Sequence, residues 1–143
     1  MIEIKLASAN DIDKMVSINV KYMTENYDRD RWIDTVNHNM SYVIVDNEEI
    51  FGYILCSMRN DYCFITSLCI DEKYRQKGYA TQLLNIVISQ YDKLQLYTRS
   101  QNHKALNLYK KMGFVQTDSI LARYKNPVDD CYVMTKINNW RQS

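Results

Sequence analysis

Punctuation is scarce in this chain, with one proline and three glycines among 143 residues. So little of either leaves no Pro- or Gly-rich stretch to serve as a flexible linker or a disordered tract. The length allows one domain with a sizeable core and does not call for a second, so a single domain over residues 1–143 is expected. Excess charge is also lacking: Lys plus Arg total 18 against 17 for Asp plus Glu. A net charge of +1 offers no overall attraction for nucleic acid or an anionic membrane, so any charge-driven function has to be local. The longest apolar runs, such as Met40 to Val45 and Cys63 to Ile65, fall far short of the roughly 20 residues of a membrane span. The acidic, polar start does not have a signal-peptide layout. A cytoplasmic protein with neither a nucleic-acid nor a membrane partner is expected. Four cysteines, Cys56, Cys63, Cys69 and Cys131, show no CxxC or Cys/His spacing, so no metal site is expected. Neither GxxxxGK(S/T) nor GxGxxG occurs, which argues against P-loop and dinucleotide-binding folds.

What the chain does have is periodicity. Ile2, Ile4 and Leu6 alternate with Glu3, Lys5 and Ala7, the pattern of a half-buried strand. Asn10 or Asp11 reads as a cap before the stripe Ile12, Met15, Val16 and Ile18, and Asp28 to Val36 reads as a second short helix after a mobile segment. Met40 to Asp46 and Ile50 to Ser57 form an expected hairpin around Asn47-Glu48-Glu49, with Gly52 marking a bulge or close packing. A strand from Asp61 to Ile70 leads to a helix over about Lys77 to Gln90. A strand from Leu94 to Arg99 leads to a helix over Asn102 to Met112, which Gly113 ends in left-handed geometry. Phe114 to Thr117 and Cys131 to Lys136 close the sheet. The order predicts an α+β, or mixed α/β, domain with helices packed on a mostly antiparallel sheet.

The stretch Arg75-Gln76-Lys77-Gly78-Tyr79-Ala80 stands where a strand pattern gives way to a helix. Backbone N–H groups of a first helical turn lack intrahelical partners and sit at the positive end of the helix dipole, so they suit an anion. Gly78 would let the backbone approach that anion without a Cβ in the way. Taken alone, an ordinary helix start with a solvated basic patch accounts for the turn equally well.

Two longer segments bear on that choice. Leu68 to Ala80 joins a strand to an R-x-x-G-x-A turn, and Asn102 to Phe114 reads N-x-x-A-x-x-x-Y-x-x-x-G-F. With Gly52 upstream, these resemble the GNAT superfamily of acetyl-coenzyme A-dependent N-acetyltransferases over nearly the whole chain. The resemblance implies a three-layer domain with helices on both faces of a V-splayed sheet, acetyl-CoA as acyl donor, and no metal. It implies that the amides of Gln76, Lys77, Gly78, Tyr79, Ala80 and Thr81 cradle the pyrophosphate, with Arg75 and Lys77 as charge partners. Backbone groups near Leu68 and Ile70 would bond the pantetheine arm as a pseudo-strand. Asn102 would cap its helix or reach that arm.

Acetyl transfer to an amine needs a neutral nucleophile, a polarised carbonyl and a proton for the leaving thiolate. Tyr109 resembles the family's general acid, since a phenol with an ordinary pKa of about 10 is protonated at neutral pH. The N–H of Cys69 or Ile70 is the expected oxyanion donor. Phe64, Thr66 and Tyr97 occupy the inward sites where a base is sought; Glu25, Asp61 or a water chain held by Tyr97 and Ser67 are the candidates, with the water chain ranked first and His103 facing solvent. Residues 122–134 loosely resemble the end of GNAT members that acetylate protein N-termini, with Tyr124 and Asp130 at matching positions and a departure at Cys131. Tyr22, Tyr27, Trp32 and Tyr124 are the candidate acceptor-pocket residues, with a place in the aromatic core as the alternative for Trp32. The expected function is acetyl transfer to a primary amine, whether small molecule, polyamine or peptide N-terminus, by direct attack in a ternary complex. The alternative is a non-catalytic acyl-CoA-binding or sensing module. Monomer and homodimer are equally compatible with the sequence.

Overall fold

A computed structural model describes residues 1–138; residues 139–143, the end of the expected 1–143 unit, lie outside the described residues. The elements run β1 (Ile2–Leu6), α1 (Ile12–Tyr22), α2 (Arg29–Val36), β2 (Tyr42–Asp46), β3 (Glu49–Arg59) and β4 (Tyr62–Ile70). They continue with α3 (Tyr79–Ile88), β5 (Lys93–Arg99), α4 (His103–Lys111), β6 (Val115–Tyr124) and β7 (Asp129–Ile137). The seven strands form one sheet in the order β1-β2-β3-β4-β5-β7-β6. Its neighbours are antiparallel except β4 and β5, which run parallel.

Apolar stripes set the layers. Ile12, Met15 and Ile18 of α1 and Trp32 and Val36 of α2 pack on Val43, Tyr53 and Leu55 from one face of the sheet. Leu83, Leu84 and Val87 of α3 and Leu106 and Tyr109 of α4 pack on Ile54, Ile65 and Leu96 from the other. The mixed α/β architecture expected from the element order is therefore present, with helices on both faces. All four cysteines are buried, free thiols within strands.

Several boundaries differ from the expected ones, and two of the differences have a clear structural cause. The helix expected from Lys77 starts at Tyr79, because Gln76 (φ 62°) and Gly78 (φ 84°) are left-handed and cannot lie inside a right-handed helix. The strand expected to end at Thr117 runs on to Tyr124. Most of β6 is solvent-exposed, so its side chains carry no alternating pattern, and pairing with β7 holds it.

Register around β3 fixes which way the central residues point. Between Leu55 and Cys56 the β3–β4 register shifts, Leu55 pairing with Ser67 and Cys56 with Ile65, so Thr66 is the extra residue of a bulge. The bulge resets the alternation of β4. Ile65 packs with α3 and α4, whereas Ser67 bonds the Tyr53 hydroxyl on the α1 side at 2.8 Å. At Gly52, paired with Ile44 and Ile70, a Cβ would fall 2.6 Å from Ile70 Cδ1 and 3.0 Å from the Cys69 carbonyl oxygen. Close packing of three strands explains this glycine. Gly52→Ala is expected to destabilise the fold by about 1–3 kcal/mol in a denaturant titration. Adding Ile70→Val, which shortens the side chain it strikes, should recover part of that loss.

Candidate active site

Strands β4 and β5 pair only over Cys63–Leu94, Phe64–Gln95 and Ile65–Leu96. Beyond those positions they part, and a cleft of about 620 Å³ opens along the gap. On the β3 side, the Asp71 N–H donates to the Phe51 carbonyl at 2.7 Å, marking that pair as hydrogen-bonded. Antiparallel pairs alternate, so the Tyr53–Cys69 pair is bonded likewise and the Leu68 and Ile70 backbone groups face the gap. The Cys69 amide thus turns toward β3, away from the position expected of an oxyanion donor. Two carbonyls along the gap are already engaged: Thr66 accepts from the Tyr27 hydroxyl at 3.2 Å and Ile70 from Arg75 Nε at 2.8 Å.

The Arg75–Thr81 turn forms one end of the cleft. Gly78 is the N-cap of α3, and the space where its Cβ would sit is open, with no atom within 4 Å. Gln82 is the first residue of α3 whose N–H meets a backbone acceptor, the Gly78 carbonyl at 3.1 Å. Gln76, Gly78, Tyr79, Ala80 and Thr81 line the cleft, as does Arg75, whose guanidinium lies 4.7 Å from the Tyr22 ring. Lys77 is not part of that lining; its ammonium lies 6.0 Å from the Tyr74 ring. Asn102 borders the cleft, and its side chain accepts from the Ala105 N–H at 3.2 Å, so the capping role expected of it is realised.

The other end is aromatic and basic. Tyr27 and Tyr124 both line it, coming from the α1–α2 segment and the end of β6. One side chain ties these two segments together. Arg99, at the end of β5, donates to Glu25 Oε1 from Nε at 2.8 Å and from Nη2 at 2.6 Å, to the Pro127 carbonyl at 2.7 Å and to the Lys125 carbonyl at 3.1 Å. It also lies 4.6 Å from the Tyr124 ring. Burial pushes the Tyr124 hydroxyl well above the usual tyrosine range, and its contact with the Cys131 thiol at 3.8 Å adds to the rise. Trp32, a candidate for this pocket, is instead a core residue at 1% exposure, packed edge-on to Tyr53. Asp61 and His103 are absent from the lining. Asp130 accepts from the Ala122 N–H at 2.8 Å and stays within the β6–β7 hairpin.

Between the two ends stand Tyr109, Ser67 and Tyr97. Tyr109 reaches the cleft from α4 while packing on Phe114, and burial holds its phenol well above the usual range. Tyr97 is edge-on to Phe64 across the parting strands, with ring centroids 4.9 Å apart. Ser67 ends a buried chain in which Asn19 Nδ2 donates to the Tyr53 hydroxyl at 2.9 Å and that hydroxyl bonds Ser67. Cys69 also borders the cleft; burial, partly offset by Arg75, pushes its thiol up to about 11.

Comparison with known proteins agrees with this geometry. The profile described as "Acetyltransferase (GNAT) family" matches residues 9–114. The catalytic subunit NAA20 of the N-terminal acetyltransferase B complex of Arabidopsis thaliana is 22% identical over 90% of this chain and 82% of its own length. An N-alpha-acetyltransferase of Saccharolobus solfataricus is 28% identical over 91% of this chain and 89% of its own. Among solved structures, Arabidopsis thaliana Naa50 in complex with the bisubstrate analogue CoA-Ac-MVNAL superposes with a TM-score of 0.87 at 23% identity, covering 96% of this chain and 99% of that one, and so shares its fold. Since the profile spans most of the chain and includes both the parting strands and the turn at Gly78, the chain belongs to the acetyltransferase (GNAT) family and is an acyltransferase that uses acetyl-coenzyme A.

Proposed function

We propose that this single domain acetylates the α-amino group of a peptide N-terminus by direct attack, with Tyr109 as general acid. One observation carries the choice of acceptor. Glu25 is the sole carboxylate among the described residues lining the cleft, and Arg99 holds it in a two-nitrogen ion pair. A cleft without a free carboxylate suits an amine that needs little help to lose its proton. An α-amino group has a pKa of about 8 and is partly neutral at physiological pH, whereas a lysine-type ammonium near 10.4 is not. The names of the relatives, a catalytic subunit of an N-terminal acetyltransferase complex and an N-alpha-acetyltransferase, support the same acceptor.

The residues present fit coenzyme A. Open space above Gly78 and the unpartnered amides at the start of α3 suit a pyrophosphate, to which Gln76, Tyr79, Ala80 and Thr81 would donate and which the Lys77 backbone would border. The Leu68 carbonyl, between the engaged Thr66 and Ile70 carbonyls, is left to accept an amide of the pantetheine arm, and the Ile70 N–H is the oxyanion donor. Asn102 fixes the start of α4 and thereby the position of Tyr109. When bound, acetyl-CoA supplies the activated acyl group. Tyr109 donates a proton to the departing thiolate, which its raised pKa lets it retain until needed. Tyr97 and Ser67 hold the water that takes the proton from the amine. Cys69 keeps its own proton at neutral pH, which disfavours an acyl-enzyme route. Tyr27 and Tyr124 flank the incoming chain.

Thiol release from acetyl-CoA should be faster with short peptides bearing a free N-terminus than with polyamines, aminoglycosides or free amino acids. Absence of turnover with every acceptor alongside tight coenzyme binding would favour the sensing module instead. Tyr109→Phe should lower kcat by about 10²-fold or more while leaving coenzyme affinity within about twofold. Because the Tyr109 pKa lies above its ordinary value, its proton is lost only at higher pH. The rate should therefore rise as the acceptor amine deprotonates near pH 8 and show no downturn up to about pH 10. A downturn near pH 9 would remove Tyr109 from the role of acid.

A further inference from the structure

Among the described residues, six cationic side chains line the cleft, although the whole chain carries a net charge of only +1. Arg75 and Lys104 border the Gly78 and Asn102 end, and Arg99 is neutralised by Glu25. Three arginines then remain, each from a different element and each laid over an aromatic ring. Arg31 of α2 is 4.4 Å from the Tyr27 ring, Arg59 at the end of β3 is 3.5 Å from Phe64, and Arg123 of β6 is 4.9 Å from Tyr97. None of the three forms an ion pair with a carboxylate among the described residues. Stacking fixes the plane of a guanidinium and leaves its edge N–H groups to bind a carboxylate.

Their placement separates them from the coenzyme's phosphates. Phe64 and Tyr97 stand where the strands begin to part, and Tyr27 bonds the carbonyl at Thr66, whereas the Gly78 turn follows the far end of β4. Arg31 and Arg123 also converge electrostatically: both draw down the pKa of the Tyr27 hydroxyl, which burial raises overall. A cationic acceptor such as a polyamine would meet like charge there. An acceptor with carboxylates would find them matched.

We infer that the acceptor is an acidic peptide, one with Asp or Glu among the residues that follow its N-terminal amine, and that Arg31, Arg59 and Arg123 read those carboxylates. The inference rests on the peptide reading above and names the class of peptide. It is tested by kcat/KM on peptides that differ only at positions two and three, carrying Asp/Glu, Asn/Gln or Lys there, with free glutamate and spermidine as non-peptide arms. Acidic peptides should exceed their amide counterparts by about fivefold or more, and the ratio should shrink as salt rises from about 0.05 M to about 0.5 M. Arg123→Glu should move the preference toward the Lys peptides while coenzyme binding persists. If that variant does not fold, Arg31→Gln, on a separate helix, should narrow the acidic-to-amide ratio in the same direction. Equal turnover of acidic and amide peptides would overturn the inference and leave the peptide reading standing. Turnover of glutamate with no peptide turnover would overturn the peptide reading while supporting the arginines as carboxylate readers, and turnover of spermidine alone would overturn both.

Discussion

Beyond Ile65 and Leu96, strands β4 and β5 no longer pair, so backbone groups that a continuous sheet would satisfy internally face a cleft instead. Unpaired strand groups are costly where water is excluded, and each part of the site relates to them. The Tyr27 hydroxyl satisfies the Thr66 carbonyl from the α1–α2 side, and Arg75 satisfies the Ile70 carbonyl from the turn. The stretch between them is the place for a third partner. In the proposed function, the extended arm of the acyl donor, with its two amides, takes that place.

The bulge at Thr66 and the glycine at position 52 keep that edge in place. By inserting one residue, the bulge turns Ser67 toward Tyr53 and Asn19 while Ile65 still packs beneath α3 and α4. Gly52 lets β3 approach β4 closely enough for Ile70 to fill the space a side chain would take. The cleft is thus a consequence of sheet packing. Backbone recognition of the proposed kind would tolerate varied residues along β4.

What could be read from the sequence follows the same division. The Gly78 turn, the cap at Asn102, the left-handed Gly113 (φ 96°) and the position of Tyr109 on the helix between them are local, set by residues within a turn or two. Periodicity likewise exposed the layers, because apolar stripes record which face is covered. The aromatic, basic end of the cleft is less legible. Glu25 looked like a candidate base because nothing nearby in sequence marks Arg99, 74 residues away, as its partner. Trp32 is compatible in sequence with either a pocket or the core, and only the packing of α2 shows it sealed against Tyr53. The three ring-stacked arginines pair residues from separate elements, and a near-zero total charge concealed their convergence. The length of β6 is not legible in the sequence, because an exposed edge strand carries no apolar alternation.

Arg99 joins the α1–α2 segment and the β6–β7 turn through one guanidinium, with Glu25 on one side and two main-chain carbonyls on the other. The two walls at this end of the cleft therefore do not behave as separable modules. Transplanting one loop from a relative, a common route to altered selectivity, would leave this arginine with half of its partners and the opposite wall without its tether. Redesign of this mouth has to treat the two loops and the strand end between them as one inherited unit.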